Sequence, residues 1–157
     1  MTTEIINLSF NFIMTYALLV AVFLYMRSAR DKKKRLALDY IRRWNDEGYF
    51  KSLYNIEHCF FSDGYKDKID AYSDDLFIEH SELNHVLAFF EELSLAILNN
   101  QADEKISQDF FVLQLATTFI IADKMLMEQR KVRGKGLYRN VERLYGKWLA
   151  ENLFHNK

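Results

Sequence analysis

Apolar residues follow one another with few breaks from Ile5 to Met26, and no charged residue falls inside that run. A helix rising about 1.5 Å per residue crosses a bilayer with roughly 20 such residues, so the pattern predicts a transmembrane helix. The pattern then turns basic, with Arg27, Arg30, Lys32, Lys33, Lys34 and Arg35. Beyond this block apolar positions return at helical spacing. Leu36, Tyr40, Ile41, Trp44, Phe50, Leu53, Tyr54, Ile56 and Phe60 recur along it, with Gly48 as a break. The segment 62–75 is rich in Asp, Ser and Gly and reads as a loop. Ser81 and Glu82 then open a helix whose apolar face runs through Leu83, Val86, Leu87, Phe90, Leu93 and Ile97; Asn99, Asn100 and Gln101 close it.

The next helix, from about Asp103 to Arg130, is apolar nearly all round. Its uncharged run, Phe110 to Ala122, is broken by Gln114, Thr117 and Thr118 and is shorter than the roughly 20 residues a span needs. It therefore reads as the central helix of a bundle. A last helix, from about Leu137 to Phe154, carries a one-sided stripe of Leu137, Val141, Leu144, Tyr145, Trp148 and Leu149. No segment shows sustained strand-type alternation. The expected fold is all-α: a transmembrane anchor over residues 1–30, then a compact cytoplasmic helical bundle over 31–157.

Composition fits that outline. The chain has no proline, which favours long unbroken helices, and a single cysteine, Cys59, which excludes an intramolecular disulfide and a Cys-based zinc cluster. A secretory signal peptide would need basic residues ahead of the apolar run, but Thr2, Thr3 and Glu4 stand there and the positive charge comes after it. By the positive-inside rule, the N-terminus lies outside and the domain in the cytoplasm.

Within the span, Asn7, Asn11 and Thr15 lie four residues apart and share one helical face. Two readings of this ladder stay open. The asparagines either snorkel into nearby headgroups, or bond across helices to copies of themselves in a homo-oligomer, relieving the cost of an unpaired amide in hydrocarbon.

Patterns that carry catalysis are missing: there is no Walker loop, no Gly-x-Ser-x-Gly and no His-Glu-x-x-His. His80 and His85 point to different sides of a helix and do not suit a shared metal, reading instead as surface histidines. Asn84, Glu91 and Glu92 lie on or beside an apolar face, where they suit hydrogen bonds across the bundle. The expectation is a non-enzyme with no cofactor and no metal. Charge is more informative. Acidic residues predominate from Glu57 to Glu104 and basic ones from Lys124 to Lys147, although the net charge is only −1. The most site-like stretch is Arg130–Arg143, "RKVRGKGLYRNVER". Gly134 and Gly136 can expose backbone N–H groups to phosphate oxygens. Arg130, Lys131, Arg133, Lys135 and Arg139 supply positive charge, and the N-terminus of the following helix would reinforce an anion site. Tyr138 could stack on a base and Asn140 could read a base edge. The competing reading is a solvated turn, or one lying against anionic headgroups. Duplex nucleic acid is disfavoured because the acidic half would repel it.

Leu83, Asn84, Phe90 and Glu91, with the Tyr138–Trp148 stretch, resemble a widespread family of small bacterial membrane-anchored proteins with a Leu-Asn and Phe-Glu helix after one N-terminal span. The layout as a whole is also similar to the small membrane effectors attached to type III CRISPR systems, on the strength of size, topology and the basic glycine-containing turn. That resemblance implies a single-pass protein of the bacterial inner membrane, acting on its lipid as a homo-oligomer, expected to be a tetramer. A cyclic oligoadenylate, cyclic tetra-adenylate favoured, would bind the helical domain in antiphage defence. An adaptor that recruits a protein partner without any nucleotide is the alternative.

Overall fold

The computed structural model describes the backbone of residues 2–61 and 74–155, and side chains over 13–151 apart from 59 and 61–80. The chain is all-α, with five described helices and no strand among the described residues: α1 (Thr2–Asp46), α2 (Tyr49–Phe61), α3 (Asp74–Leu98), α4 (Glu104–Arg133) and α5 (Arg139–His155). Most of the segment expected as a loop lies outside the described residues, as do the side chains of Cys59 and His80. Asp74 and Asp75 of that segment already belong to α3, which begins seven residues ahead of Ser81.

The boundary drawn between anchor and head, at residues 30 and 31, falls inside one helix. Helix α1 runs through it without a break. Lys and Arg are good helix formers, and no glycine or proline interrupts 27–35. From Ile13 to Met26 every side chain is exposed, whereas Ala37, Tyr40 and Trp44 are buried in the bundle. One rod therefore carries an uncovered apolar half and a core-forming half. It ends where expected: Gly48, at φ +78°, takes the left-handed conformation that turns the chain into α2.

Trp44, fully buried, sits at the centre of an aromatic cluster drawn from four helices. Its ring centroid lies 5.1 Å from Phe89, 5.2 Å from Phe90, 5.7 Å from Phe111 and 5.9 Å from Tyr49. Those spacings lie in the range of favourable stacked, tilted and edge-to-face aromatic pairs. Helix α4 buries Phe111, Leu115, Thr118, Ile121, Ala122 and Leu126 against its neighbours, as a central helix should. Among the described residues, two helices are long and apolar enough to cross a membrane. The apolar window of α1 is wholly uncovered, whereas a third of that of α4 is buried inside the fold.

Helix directions set what lies at each end. On α3, Asn100, just past its last turn, meets Lys33 of α1, while Phe89 and Phe90 meet Trp44, so α1 and α3 run antiparallel. The α3–α4 turn thus lies beside the basic segment of α1. Tyr138, at the α4–α5 turn, meets Asn84. Asn84 and Asn100 are sixteen residues apart, about 24 Å along a helix axis.

Candidate functional site

The basic turn is shaped locally. Helix α4 stops at Arg133 because Gly134 adopts φ +99°, and its N–H donates to the Arg130 carbonyl at 3.0 Å. Nothing lies within 4 Å of where a Cβ at Gly134 would sit, so the backbone angle rather than space makes glycine fit there. The Arg130 side chain fastens the turn: Nε donates to the Leu137 carbonyl at 3.1 Å and the guanidinium pairs with Glu142 at 2.9 Å. Tyr138 holds φ +53°, a left-handed angle uncommon for a side-chain-bearing residue. Its hydroxyl approaches the carbonyl and side-chain oxygens of Asn84 at 3.4 Å, and burial pushes its pKa up.

The N-terminus of α5, expected to receive a phosphate, already holds an anion from the protein itself. Glu91 Oε1 accepts from Asn140 Nδ2 at 2.7 Å, and Glu91 Oε2 accepts from the Val141 N–H at 3.0 Å. A carboxylate on the first amides of a helix satisfies donors that the helix leaves unpaired and suits its positive end. Of the seven residues proposed from sequence, Arg130, Tyr138 and Asn140 are thus engaged in building the turn. Lys131 pairs with Glu128, and Arg133, Lys135 and Arg139 are exposed. The turn also lies about 24 Å from the basic segment of α1 along α3, several times the screening length of about 8 Å. Of the span ladder, the Asn7 and Asn11 side chains lie outside the described residues, and Thr15 lies on the exposed apolar part of α1.

Two further features were not read from the sequence as sites. The first is a cleft at the opposite end of the bundle, between α1 and the α3–α4 turn. It is lined by Arg30, Lys33 and Lys34 on one side and by Asn100, Asp103 and Glu104 on the other. Residues 30, 33 and 34 have the i, i+3, i+4 spacing of a common helical face, which was the available signal. The second is a row on α4, Leu113, Ile120 and Met127, seven residues apart and all more than half exposed.

The remaining polar contacts across the bundle are structural. Arg43 donates to both oxygens of Glu92, at 2.9 and 3.3 Å, and Tyr40 donates to Oε1 at 3.2 Å. The Arg43 hydrogen bond holds the Glu92 carboxyl below its ordinary value. Burial, reinforced by Glu92, raises the Tyr40 phenol to about 12. His85 is exposed and stacks on Tyr49 at 4.4 Å. No group of three or more metal-ligating side chains occurs among the described residues.

The model of a family described as a domain of unknown function, DUF4760, matches residues 11–148, spanning the uncovered apolar segment and most of the bundle. No curated protein and no solved structure matches the chain.

Proposed function

The chain belongs to the DUF4760 family, and from that premise we propose that it is a single-pass membrane-anchored effector whose helical head and span are coupled through one rigid helix. The observation that carries this reading is the continuity of α1, Thr2–Asp46, with Trp44 at the centre of the head and an apolar segment left uncovered at the other end. An α-helix transmits tilt and rotation along its length, where a flexible linker would absorb them. A ligand or partner that favours one arrangement of the head then biases the arrangement of the span, by as much as its affinities for the two arrangements differ. On this reading the head lies in the bacterial cytoplasm, and the protein acts on the inner membrane as a homo-oligomer, with a tetramer favoured.

The input is an anionic ligand held by the exposed Arg133, Lys135 and Arg139, in line with the resemblance to effectors activated by cyclic oligoadenylate. The test is a titration of the full chain in detergent with cyclic tetra-adenylate, beside linear oligoadenylate and cyclic dinucleotides. Micromolar binding that Arg133→Glu with Arg139→Glu abolishes, at unchanged helical circular dichroism, is the expected result. Absence of binding by all three ligand classes sinks the nucleotide input. A second reading is favoured by the exposed α4 row of Leu113, Ile120 and Met127. Its seven-residue spacing is that of a helix seam, which suits a head that recruits a helical protein partner. In that case Ile120→Glu, and not the arginine variants, removes the activity of the protein in cells.

A further inference from the structure

We propose that the cleft between α1 and the α3–α4 turn is a binding site for the phosphate of an anionic lipid headgroup. The proposal rests on the reading that the apolar half of α1 lies in a bilayer. Arg30 and Lys34 stand four and eight residues beyond Met26, about 6 and 12 Å along the axis. The headgroup zone extends about 5–7 Å beyond the hydrocarbon on each side. Arg30 therefore lies within it, and the stem of Lys34 can reach back toward it.

The cleft is built by the fold rather than by charge alone. Lys33 locks the two walls together: its Nζ donates to Asn100 Oδ1 at 2.6 Å, and its carbonyl accepts from the Asp103 N–H at 3.1 Å. Asn100 is set for this contact by its left-handed backbone, φ +58°, a conformation that asparagine tolerates. The two carboxylates of the wall are already engaged. Asp103 Oδ1 accepts from the Ile106 N–H at 3.1 Å, and Glu104 accepts from Trp148 Nε1 at 3.1 Å and pairs with Lys147. Neither carboxylate is paired with Arg30 or Lys34, whose charges face the same opening and remain available to a phosphate. Arginine offers it a two-pronged hydrogen bond and lysine a point charge. Lys32 and Arg35 belong to the same basic run and carry the same charge, but do not line the cleft.

That difference supplies the test. The full chain is placed in nanodiscs of phosphatidylcholine containing a minority of phosphatidylglycerol, and the lipids it retains on detergent extraction are counted by native mass spectrometry. Incorporation into nanodiscs tests the membrane reading by itself; the headgroup bias tests the cleft. Expected is a bias toward phosphatidylglycerol that Arg30→Gln with Lys34→Gln reduces by roughly tenfold. Lys32→Gln with Arg35→Gln, the same change in charge, should reduce it less than about twofold. Equal losses in the two variants mean diffuse attraction to the surface and overturn the proposal, as does incorporation without headgroup bias. Glycerol phosphate is the arm for a soluble source. If it binds the detergent-solubilised chain as tightly as the lipid does, the site belongs to a free phosphate and the lipid assignment falls.

Discussion

Replacing Glu91 by alanine tests how the basic turn is held. The substitution removes the acceptor of three hydrogen bonds, from Asn140 Nδ2 at 2.7 Å, the Val141 N–H at 3.0 Å and the Asn140 N–H at 3.4 Å, and leaves the first turn of α5 without its anion. Loss of a helix cap costs about 0.5–2 kcal/mol, and loss of a charge at the helix N-terminus adds about 0.3–1 kcal/mol. A destabilisation of about 2 kcal/mol follows. For a bundle of this size it lowers Tm by about 6–10 °C. The assay is thermal unfolding of the full chain in detergent, followed by far-ultraviolet circular dichroism. Glu91→Gln keeps one acceptor oxygen without the charge and should fall between wild type and Glu91→Ala. The vacated position is then an anion site of the kind the sequence suggested. Phosphate at about five times its dissociation constant should return about 1 kcal/mol to Glu91→Ala and little to wild type, at matched ionic strength. An unchanged Tm for Glu91→Ala, or equal phosphate effects on the two proteins, would mean that Glu91 does not hold the start of α5.

Other perturbations follow from the same contacts. Trp44→Ala, which empties the centre of the aromatic cluster, should cost about 3–5 kcal/mol in denaturant unfolding followed by the fluorescence of Trp148; a loss below about 1 kcal/mol would contradict its central place. Tyr40 ionises at about pH 10 in an unfolded chain but only at about 12 in the fold. Its contribution is therefore complete below about pH 10 and is lost as pH rises toward 12. Alkaline melts of Tyr40→Phe should show a shallower decline than wild type over that window, and parallel declines would remove Tyr40 as the cause. Asn7→Leu with Asn11→Leu should lower the yield of crosslinked oligomer in membranes; an unchanged yield favours asparagines that reach headgroups instead of each other.

The core was legible because it is local and periodic. Trp44, Leu83, Val86, Leu87, Phe90 and Leu93 announce their buried faces by spacing, and all are buried. Gly48 announced its own turn for the same reason, since only the local backbone decides it. Helix α1 was harder. A block of Arg and Lys after an apolar run reads as a topology signal, and nothing in that signal says whether the helix stops or continues; here Ala37, Tyr40 and Trp44 pack only as its extension. The basic turn was legible as a helix break with positive charge. That the anion position at α5 is taken by Glu91 was not, because Glu91 lies some fifty residues earlier in the chain and reaches it only through the packing of α3 on α5. The same holds for the cleft, whose second wall comes from the turn around Asn100.

One helix joins the apolar segment to the head, and a distance across the basic segment reads that continuity, measured by pulsed electron paramagnetic resonance on the full chain in nanodiscs. Spin labels go at Leu18 and Arg42, both exposed, with Cys59 replaced by serine. With the labelled chain diluted in excess unlabelled chain, so that only distances within one chain are read, twenty-four residues of unbroken helix predict a single narrow distribution centred at about 36 Å. A broad distribution, or one centred well below that value, would mean that the chain bends between span and head, and the coupling through α1 would fail with it.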